Sequence, residues 1–202
     1  MEFSFDTLEL DTNAAIDGTI DESGAYVGEF KKVVVVKSRD KGTHGLKFTF
    51  ESDEGGVIDT TLWVRSADGK DLFSAAQLAA MRVVLGAQKL VVADGLDDQW
   101  SAEEGRRVPT PCKVIANLTG KKIGLVLQKT TKDNPSRPEY PRVDYNVKGA
   151  YAPATRLTAG EIVKGVKEPK ELDKILSKLK DIDNRKPQEH VAADLGLSGL
   201  NF

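Results

Sequence analysis

The chain has 202 residues, a length that favours one hydrophobic core with appendages over two full domains. Its single cysteine, Cys112, excludes an internal disulfide and a cysteine-based zinc site. The first residues lack the basic start and apolar run of a signal peptide, and no apolar run approaches the roughly 18 residues of a membrane helix. We therefore expect a soluble, cytoplasmic protein with no membrane partner.

The formal net charge of −2 conceals a segregation of sign along the chain. Residues 1–22 contain seven acidic residues and no lysine or arginine. Residues 23–52 hold six bases against three acids, and residues 120–150 hold seven bases against three acids. Local positive charge attracts a polyanion, although lysine and arginine on strands also serve simply to solvate an exposed face.

Three strands are predicted in the first third of the chain, because the segments are rich in β-branched and aromatic residues or alternate between apolar and polar side chains. Gly28 permits the bend that a long first strand needs. Phe48 and Phe50 are predicted to be buried on the second strand, whereas Trp63 falls on the outward side of the third. The segments are GAYVGEFKKVVVVK, the stretch around Leu46–Phe50, and VIDTTLWVR.

A helix is predicted after the third strand, in the stretch DLFSAAQLAAMRVVLGA, and Gly86 supplies its C-terminal stop. Residues 87–119 have a weaker pattern. They predict a short strand at KLVVADG, an exposed loop over residues 95–112, and a short helix near CKVIANLTG. The predicted buried stripe of the first helix is Leu72, Ala75, Ala76, Ala79 and Val83.

Two more strands and two C-terminal helices complete the predicted elements. The strands are KKIGLVLQKTT and RVDYNVKGAY, and the three prolines of KDNPSRPEYP make the stretch between them a loop. Thr158 and Glu161 have the spacing of a capping box for a short helix. EPKELDKILSKLKD predicts an amphipathic helix, with Leu172, Ile175, Leu176 and Leu179 as its apolar stripe.

The order of three strands, one helix and two strands indicates a mainly β protein. It matches a five-stranded oligonucleotide-binding (OB) fold barrel with a helix between strands 3 and 4, plus a C-terminal helical extension. We predict an acidic N-terminal arm (1–22), an OB-fold domain (23–153), C-terminal helices (154–181) and a flexible C-terminal tail (182–202).

The sequence offers no catalytic constellation. Phosphate-binding-loop, HExxH and GxSxG motifs are absent, and Cys112 has no identifiable partner base. The acid pairs at 97–98 and 103–104 can in principle bind a divalent cation, but adjacent acids in a loop are far more often only solvated. We expect no enzymatic activity, no cofactor and no metal.

The predicted outward face combines cations with an aromatic side chain. Cations follow phosphates and an aromatic ring stacks on a base, so this combination favours single-stranded nucleic acid. Trp63 could instead pack beneath the helix or the long loop, and Tyr26 and Phe30 either add to the surface or belong to the core. The predicted binding residues are Lys47, Trp63, Arg65, Lys122, Gln128, Arg142 and Lys148 on strands, Lys37, Arg39 and Lys41 in the first hairpin loop, and Lys132 and Arg137 in the last loop.

These segments resemble phage-encoded single-stranded DNA-binding proteins of the OB-fold type. The resemblance rests on TTLWVRSADGKDLF and the helix after it, on LTGKKIGLVLQK, and on ATRLTAGEI with EPKELDKILSKLKD, and covers roughly residues 24–181. It implies sequence-non-specific coating of single-stranded DNA during phage DNA replication, recombination or repair. That work would take place in the cytoplasm of the host cell, without a catalytic step.

Many replication proteins of this kind end in an acidic tail whose terminal aromatic residue docks partner proteins. Phe202 matches the aromatic end, and implies replication or recombination proteins as partners. The last fifteen residues contain only Glu189 and Asp194 as acids, however, which departs from that pattern. The acid-rich segment here is residues 1–22, and we hypothesise that it competes with DNA for the basic surface.

Two other functions fit the same residues. One is a protein-interaction accessory factor of replication or recombination, with weak DNA binding, that recruits its partner through residues 168–181 and the terminal LGLSGLNF. The other is a small β-rich virion component, which would self-assemble and show no affinity for nucleic acid.

Overall fold

Residues 20–185, the part of the chain that the computed structural model describes, are mainly β. The predicted strands are present, as are a helix after the third strand and helices near the C-terminus. The short strand predicted at KLVVADG is the start of a longer strand hairpin after the first helix, and a short last strand is additional. The elements are β1 Gly24–Lys37, β2 His44–Ser52, β3 Val57–Arg65, α1 Phe73–Val84, β4 Val92–Ser101, β5 Arg106–Ile115, β6 Lys122–Lys132, β7 Arg142–Tyr151, α2 Ala159–Val163, α3 Glu171–Leu176 and β8 Ile182–Asp183.

The strands of this region form one open sheet. Its main path is β3-β2-β1-β5-β4, and β6 joins the N-terminal part of β1 and pairs with β7. All pairs are antiparallel except β6 with β8. Two antiparallel pairings separate β1 from β3 and also from β7, so β3 and β7 run in the same direction. These two strands approach each other but form no backbone ladder, so the predicted closed five-stranded barrel is not confirmed.

β1 bends between its two sets of partners. Its register against β2 shifts between Phe30 and Lys32. A Cβ added to Gly28 would lie 2.1 Å from the carbonyl oxygen of Glu51, so only glycine allows this close crossing. The approach of β2 therefore requires glycine at position 28, whereas the irregularity of β1 lies further along, between Phe30 and Lys32.

The core confirms the alternation predicted for β2. Phe48 and Phe50 are fully buried and their rings lie 4.9 and 6.1 Å from the ring of Phe30. Phe30 thus belongs to the core, and Tyr26 packs partly buried against it. Neither aromatic of β1 extends the outward surface.

The stripe predicted for α1 is wrong. Leu78 and Met81 are the buried residues of this helix, whereas Leu72, Ala76, Ala79 and Val83 are exposed and Ala75 is half-buried. Larger side chains bury more apolar area than alanines do, so Leu78 and Met81 determine which face packs. The predicted stop is confirmed. Gly86 has φ +63°, its N–H donates to Val83, and the N–H of Ala87 donates to Arg82, as in a Schellman motif.

The loop and short helix predicted within residues 95–119 are wrong, because this region forms the β4–β5 hairpin. The segment is polar, and Pro109 and Pro111 argue against a strand. Both prolines nevertheless lie on β5 where it is paired only with β4, and residues two apart direct their N–H sides to the same edge. The missing N–H groups therefore leave the ladder intact.

The C-terminal extension packs on the outside of β6 and β7. The capping box of α2 is confirmed, since the Thr158 side chain and the Glu161 carboxylate each bond the backbone of the other residue. α3 covers only 171–176, which is shorter than predicted. Its stripe is confirmed: Leu172 is buried and packs with Ile175, Leu176 and Leu179 against β6 and β7.

Two predicted appendages extend into the described part of the chain. Ile20, in the predicted arm, is buried in the core, and Ile182–Asp183, in the predicted tail, pair with β6. Residues 1–19 of the arm and 186–202 of the tail, including Phe202, lie outside the described residues. Within residues 20–185 no helix is long and apolar enough to cross a bilayer.

Candidate nucleic-acid interface

Trp63 lies on the outward side of β3, with 38% of its surface exposed. Its partner on β2 is Gly45. A Cβ on Gly45 would lie 2.9 Å from Cε3 of the indole and 2.7 Å from the carbonyl oxygen of Leu62, so glycine makes room for the ring against β2. The indole therefore rests on the sheet and remains open to solvent, and the alternative position beneath the helix or loop is wrong.

Phe73 is a second exposed aromatic at the same end of β3, and the sequence analysis missed it. Its exposed fraction is 84%, which is unusual for phenylalanine. A backbone bridge joins Arg65 to Asp71, and the N–H of Leu72 donates to the carbonyl oxygen of Val64, so the start of α1 lies beside the end of β3. One feature of the sequence could have indicated its exposure: Phe73 does not belong to the predicted apolar stripe of its helix.

The β1–β2 turn brings three cations to this end of the sheet. Lys37 is paired with His44 on β2, and His44 with Arg65 at the end of β3. The side chains of Lys37, Arg39 and Lys41 are exposed, and none forms a salt bridge with another residue of the described range. Their charge is therefore available to an anionic ligand.

Lys148 on β7 belongs to the same end. The Thr60 hydroxyl donates to the carbonyl oxygen of Tyr145 at 2.9 Å, which aligns β3 with β7. From this contact both strands run in the same direction, β3 toward Trp63 and β7 toward Lys148. Lys148 lies at a bulge of β7, is exposed, and has no salt bridge within residues 20–185. We call this group the Trp63 surface: Lys37, Arg39, Lys41, Trp63, Phe73 and Lys148.

Lys47, although predicted as a ligand for phosphate, is engaged by the β4–β5 hairpin. Its Nζ lies 2.7 Å from Oδ2 of Asp97, and Nζ of Lys32 lies 3.4 Å from Oδ1. Asp97 is only 7% exposed. Burial acts to raise the pKa of this carboxyl, but hydrogen bonds and charge from Lys47 and Lys32 outweigh it and lower the pKa. The hairpin is thereby fastened over the outward face of β1 and β2.

Four of the other nine predicted cations also have carboxylate partners. Asp144 is shared by two of them, and the attraction of both cations lowers its pKa against the opposing effect of burial. Gln128 donates to the carbonyl oxygen of Lys180 at 3.1 Å. The ion pairs are Arg65–Asp71 at 3.1 Å, Lys122–Asp53 at 2.6 Å, Lys132–Asp144 at 3.0 Å and Arg142–Asp144 at 2.8 Å.

A cleft of about 480 Å³ follows the seam between β3 and β7. Trp63 and Arg142 both line it, Trp63 toward the end of β3 and Arg142 at the start of β7. Arg137 lies in the β6–β7 loop beyond Arg142, and its side chain is exposed and has no salt bridge within the described range. Arg142 and its neighbours Lys132 and Arg137 therefore lie toward the start of β7, and the cleft connects Arg142 with Trp63.

The outer side of the β4–β5 hairpin exposes another apolar row. Val92, Leu96 and Trp100 have exposed fractions of 57%, 58% and 67% and share one side of β4. Across from Trp100 on β5 is Arg107, but Asp94 and Asp98 lie on the same side of β4. This surface is therefore less favourable for a polyanion than the Trp63 surface.

No protein-family model and no curated protein sequence matches this chain. Functional inference therefore depends on the side chains themselves.

Proposed function

We propose that this protein binds single-stranded DNA without sequence preference and coats it during DNA replication, recombination or repair, as the resemblance to phage single-strand-binding proteins suggests. In this proposal the strands β1, β2, β3, β6 and β7, with α1 after β3, are an OB-type arrangement with an open β3–β7 seam. The protein acts by binding alone.

The observation that carries this proposal is the pairing of two exposed rings, Trp63 and Phe73, with uncompensated cations at one end of the sheet. Successive bases stack on aromatic side chains, and each stack is typically worth about 1–3 kcal/mol. The cations of the same surface would follow the phosphates. The exposed rings present apolar faces that every base can use, so little sequence preference is expected.

The proposed footprint is smaller than the one predicted from sequence. Lys37, Arg39, Lys41 and Lys148 have no salt bridge within residues 20–185 and are the proposed phosphate ligands. Cations held in ion pairs would have to exchange a carboxylate for a phosphate, with little net gain.

Fluorescence anisotropy of a labelled oligothymidylate tests the proposal. Trp63→Ala and Phe73→Ala should each weaken binding by about 1–3 kcal/mol, because each removes one stacking surface. Tyr140→Ala is a matched control, since Tyr140 is 65% exposed but lies in the β6–β7 loop at the opposite end of β7. Wild-type failure to bind the oligonucleotide, or equal affinity of all three variants, would contradict the proposal.

Intrinsic fluorescence offers an independent test. Trp63 and Trp100 are the two tryptophans of the chain. In the variant Trp100→Phe the remaining Trp63 should be quenched by oligothymidylate, because stacking alters the indole environment directly. In Trp63→Phe, Trp100 should respond little, since it lies on the outer side of the hairpin.

A protein-interaction accessory factor is the second candidate, and the outer side of the β4–β5 hairpin favours it. Three apolar side chains and two carboxylates share that side, a composition better suited to a protein partner than to DNA. Loss of partner recruitment in Leu96→Ser/Trp100→Ser, with oligonucleotide affinity unchanged, would support this role beside DNA binding. Absence of oligonucleotide binding would leave it as the better explanation.

A further inference from the structure

A cleft of about 730 Å³ lies between α2 and α3, and no residue of the Trp63 surface lines it. Four lysines line its walls, together with the exposed side chain of Val166. We call it the lysine cleft, after Lys164, Lys167, Lys170 and Lys174.

The least exposed carboxylate of the lysine cleft, that of Glu161, accepts hydrogen bonds from neighbouring residues of this chain. Glu161 is only 4% exposed. Its Oε1 accepts the N–H groups of Lys170 and Glu171 at 2.7 and 3.0 Å, and its Oε2 accepts the N–H and the hydroxyl of Thr158, both at 2.9 Å. The two bonds to Oε1 join α2 to the start of α3, and the two bonds to Oε2 close the N-terminal cap of α2. Glu161 therefore acts as a brace of the cleft and is not available to a ligand.

Four lysines against three glutamates, Glu161 included, leave a net charge of +1 on the lining of the lysine cleft. Nζ of Lys174 lies 2.7 Å from Glu171, and Nζ of Lys170 lies 3.8 Å from Glu168. Lys164 and Lys167 are exposed and have no salt bridge within residues 20–185. Two ammonium groups are thus available to an anion.

The lysine cleft follows the Trp63 surface along the chain and through space. Lys148 is three residues before Tyr151, the last residue of β7. Tyr151 forms a backbone bridge with Thr158, which caps α2, and α2 packs against α1, the helix that begins at Phe73. β7 and α1 therefore both lead from the Trp63 surface to α2, which forms one wall of the lysine cleft.

We propose that the lysine cleft is a second phosphate-binding site, in which Lys164 and Lys167 hold the backbone of the single strand that stacks on Trp63 and Phe73. This inference rests on the proposed function and extends its footprint beyond the sheet. Phosphodiester groups are the ligand class, because the available groups are ammonium ions and no aromatic side chain lines the cleft. A strand must be long enough to reach both regions before the second site contributes.

Oligonucleotide length is the variable that tests this inference. Binding of oligothymidylates of about 5 and about 16 nucleotides, the range of site sizes of single OB folds, is measured over a series of salt concentrations. Lys164→Gln/Lys167→Gln and Lys164→Glu/Lys167→Glu are compared with wild type and with Lys89→Glu/Lys121→Glu. The control lysines are also exposed and have no salt bridge within the described range. Their replacement by glutamate changes the net charge by the same amount as Lys164→Glu/Lys167→Glu does.

For the long oligonucleotide, loss of two phosphate contacts should reduce the steepness of log K against log salt by about 1.4, at about 0.7 per phosphate. The short oligonucleotide should bind the cleft variants and the control variant alike. An equal loss at both lengths, or no difference from the control at either length, would overturn the inference. Failure of wild type to bind either length would instead overturn the proposed function, so the two failures are distinct.

Discussion

At Asp97 two ammonium groups meet one carboxylate, and this single residue removes Lys47 from the surface that the sequence predicted. The carboxylate is nearly buried and its partners come from β1 and β2, so one side chain both fastens the hairpin and neutralises the outward face. Its position relative to the lysines depends on how the hairpin folds back. No local pattern in the sequence encodes that.

Replacing Asp97 with asparagine separates these two effects. Asp97→Asn should lower the free energy of unfolding by about 1–3 kcal/mol, because charge-assisted hydrogen bonds are lost. It should also raise affinity for oligothymidylate at low salt, because Lys32 and Lys47 lose their counter-charge. Asp94→Asn is the control, since Asp94 binds Lys113 at 2.6 Å on a fully solvated side. Chemical denaturation and anisotropy measure the two quantities, and equal behaviour of both variants would contradict this role.

Glu161 predicts a pH dependence of stability. Hydrogen bonds from the N–H groups of Lys170, Thr158 and Glu171 lower its pKa from 4.5 to about 2. A lowered pKa means that the unfolded chain binds the proton more readily, so the stabilisation is complete above pH 4.5 and is lost as the pH falls toward 2. Thermal unfolding of Glu161→Gln should lose this part of the acid dependence, whereas Glu171→Gln at an exposed position should retain it.

At the level of elements, local sequence patterns were sufficient to predict strands that have one buried face and helix ends that have a distinct cap. The alternation around Phe48, the capping box at Thr158 and the stop at Gly86 all appear as predicted. The β4–β5 hairpin did not, because strands that project from a core carry polar side chains on both sides. Phe73 was missed for a related reason: a helix stripe was inferred from spacing alone, while side-chain size set the packing face.

The C-cap of α1 gives a test of stability without function. Gly86→Ala should lower the free energy of unfolding by about 1–2 kcal/mol, because φ is +63° there and an L-residue is strained in that conformation. Gly160→Ala should not destabilise, since Gly160 lies in helix α2 and a Cβ there meets nothing within 4 Å. Oligonucleotide affinity should be unchanged in both variants, and a loss in Gly86→Ala would place part of the binding site on the α1–β4 connection.

For the whole molecule, the decisive property is how many of its cations remain uncompensated. The sequence could reveal which residues carry charge, but ion pairs such as Lys122–Asp53 join residues 69 positions apart. Their pairing required the folded sheet. Of the ten predicted cations, five have no salt bridge within residues 20–185: four belong to the Trp63 surface, and Arg137 lies in the β6–β7 loop.

Salt dependence measures this reduction. Ten predicted cations contacting ten phosphates would give a slope of log K against log salt of about −7, whereas the four cations of the Trp63 surface give about −2.8. We expect a short oligothymidylate to show the smaller value. A slope near −7 would mean that the ion pairs open on binding, and would refute the footprint proposed here.

The absence of a ladder between β3 and β7 has a further consequence for how the molecule opens. β1 is hydrogen-bonded to strands on both of its edges, whereas the facing edges of β3 and β7 are unpaired within residues 20–185. The amide hydrogens on those two edges should therefore exchange with deuterium before the amide hydrogens of β1. A bound nucleic acid that contacts both Trp63 and Lys148 would cross the β3–β7 seam and slow amide exchange in both strands. Hydrogen–deuterium exchange along the seam, measured by mass spectrometry, would then report whether nucleic acid is bound, without a fluorescent label.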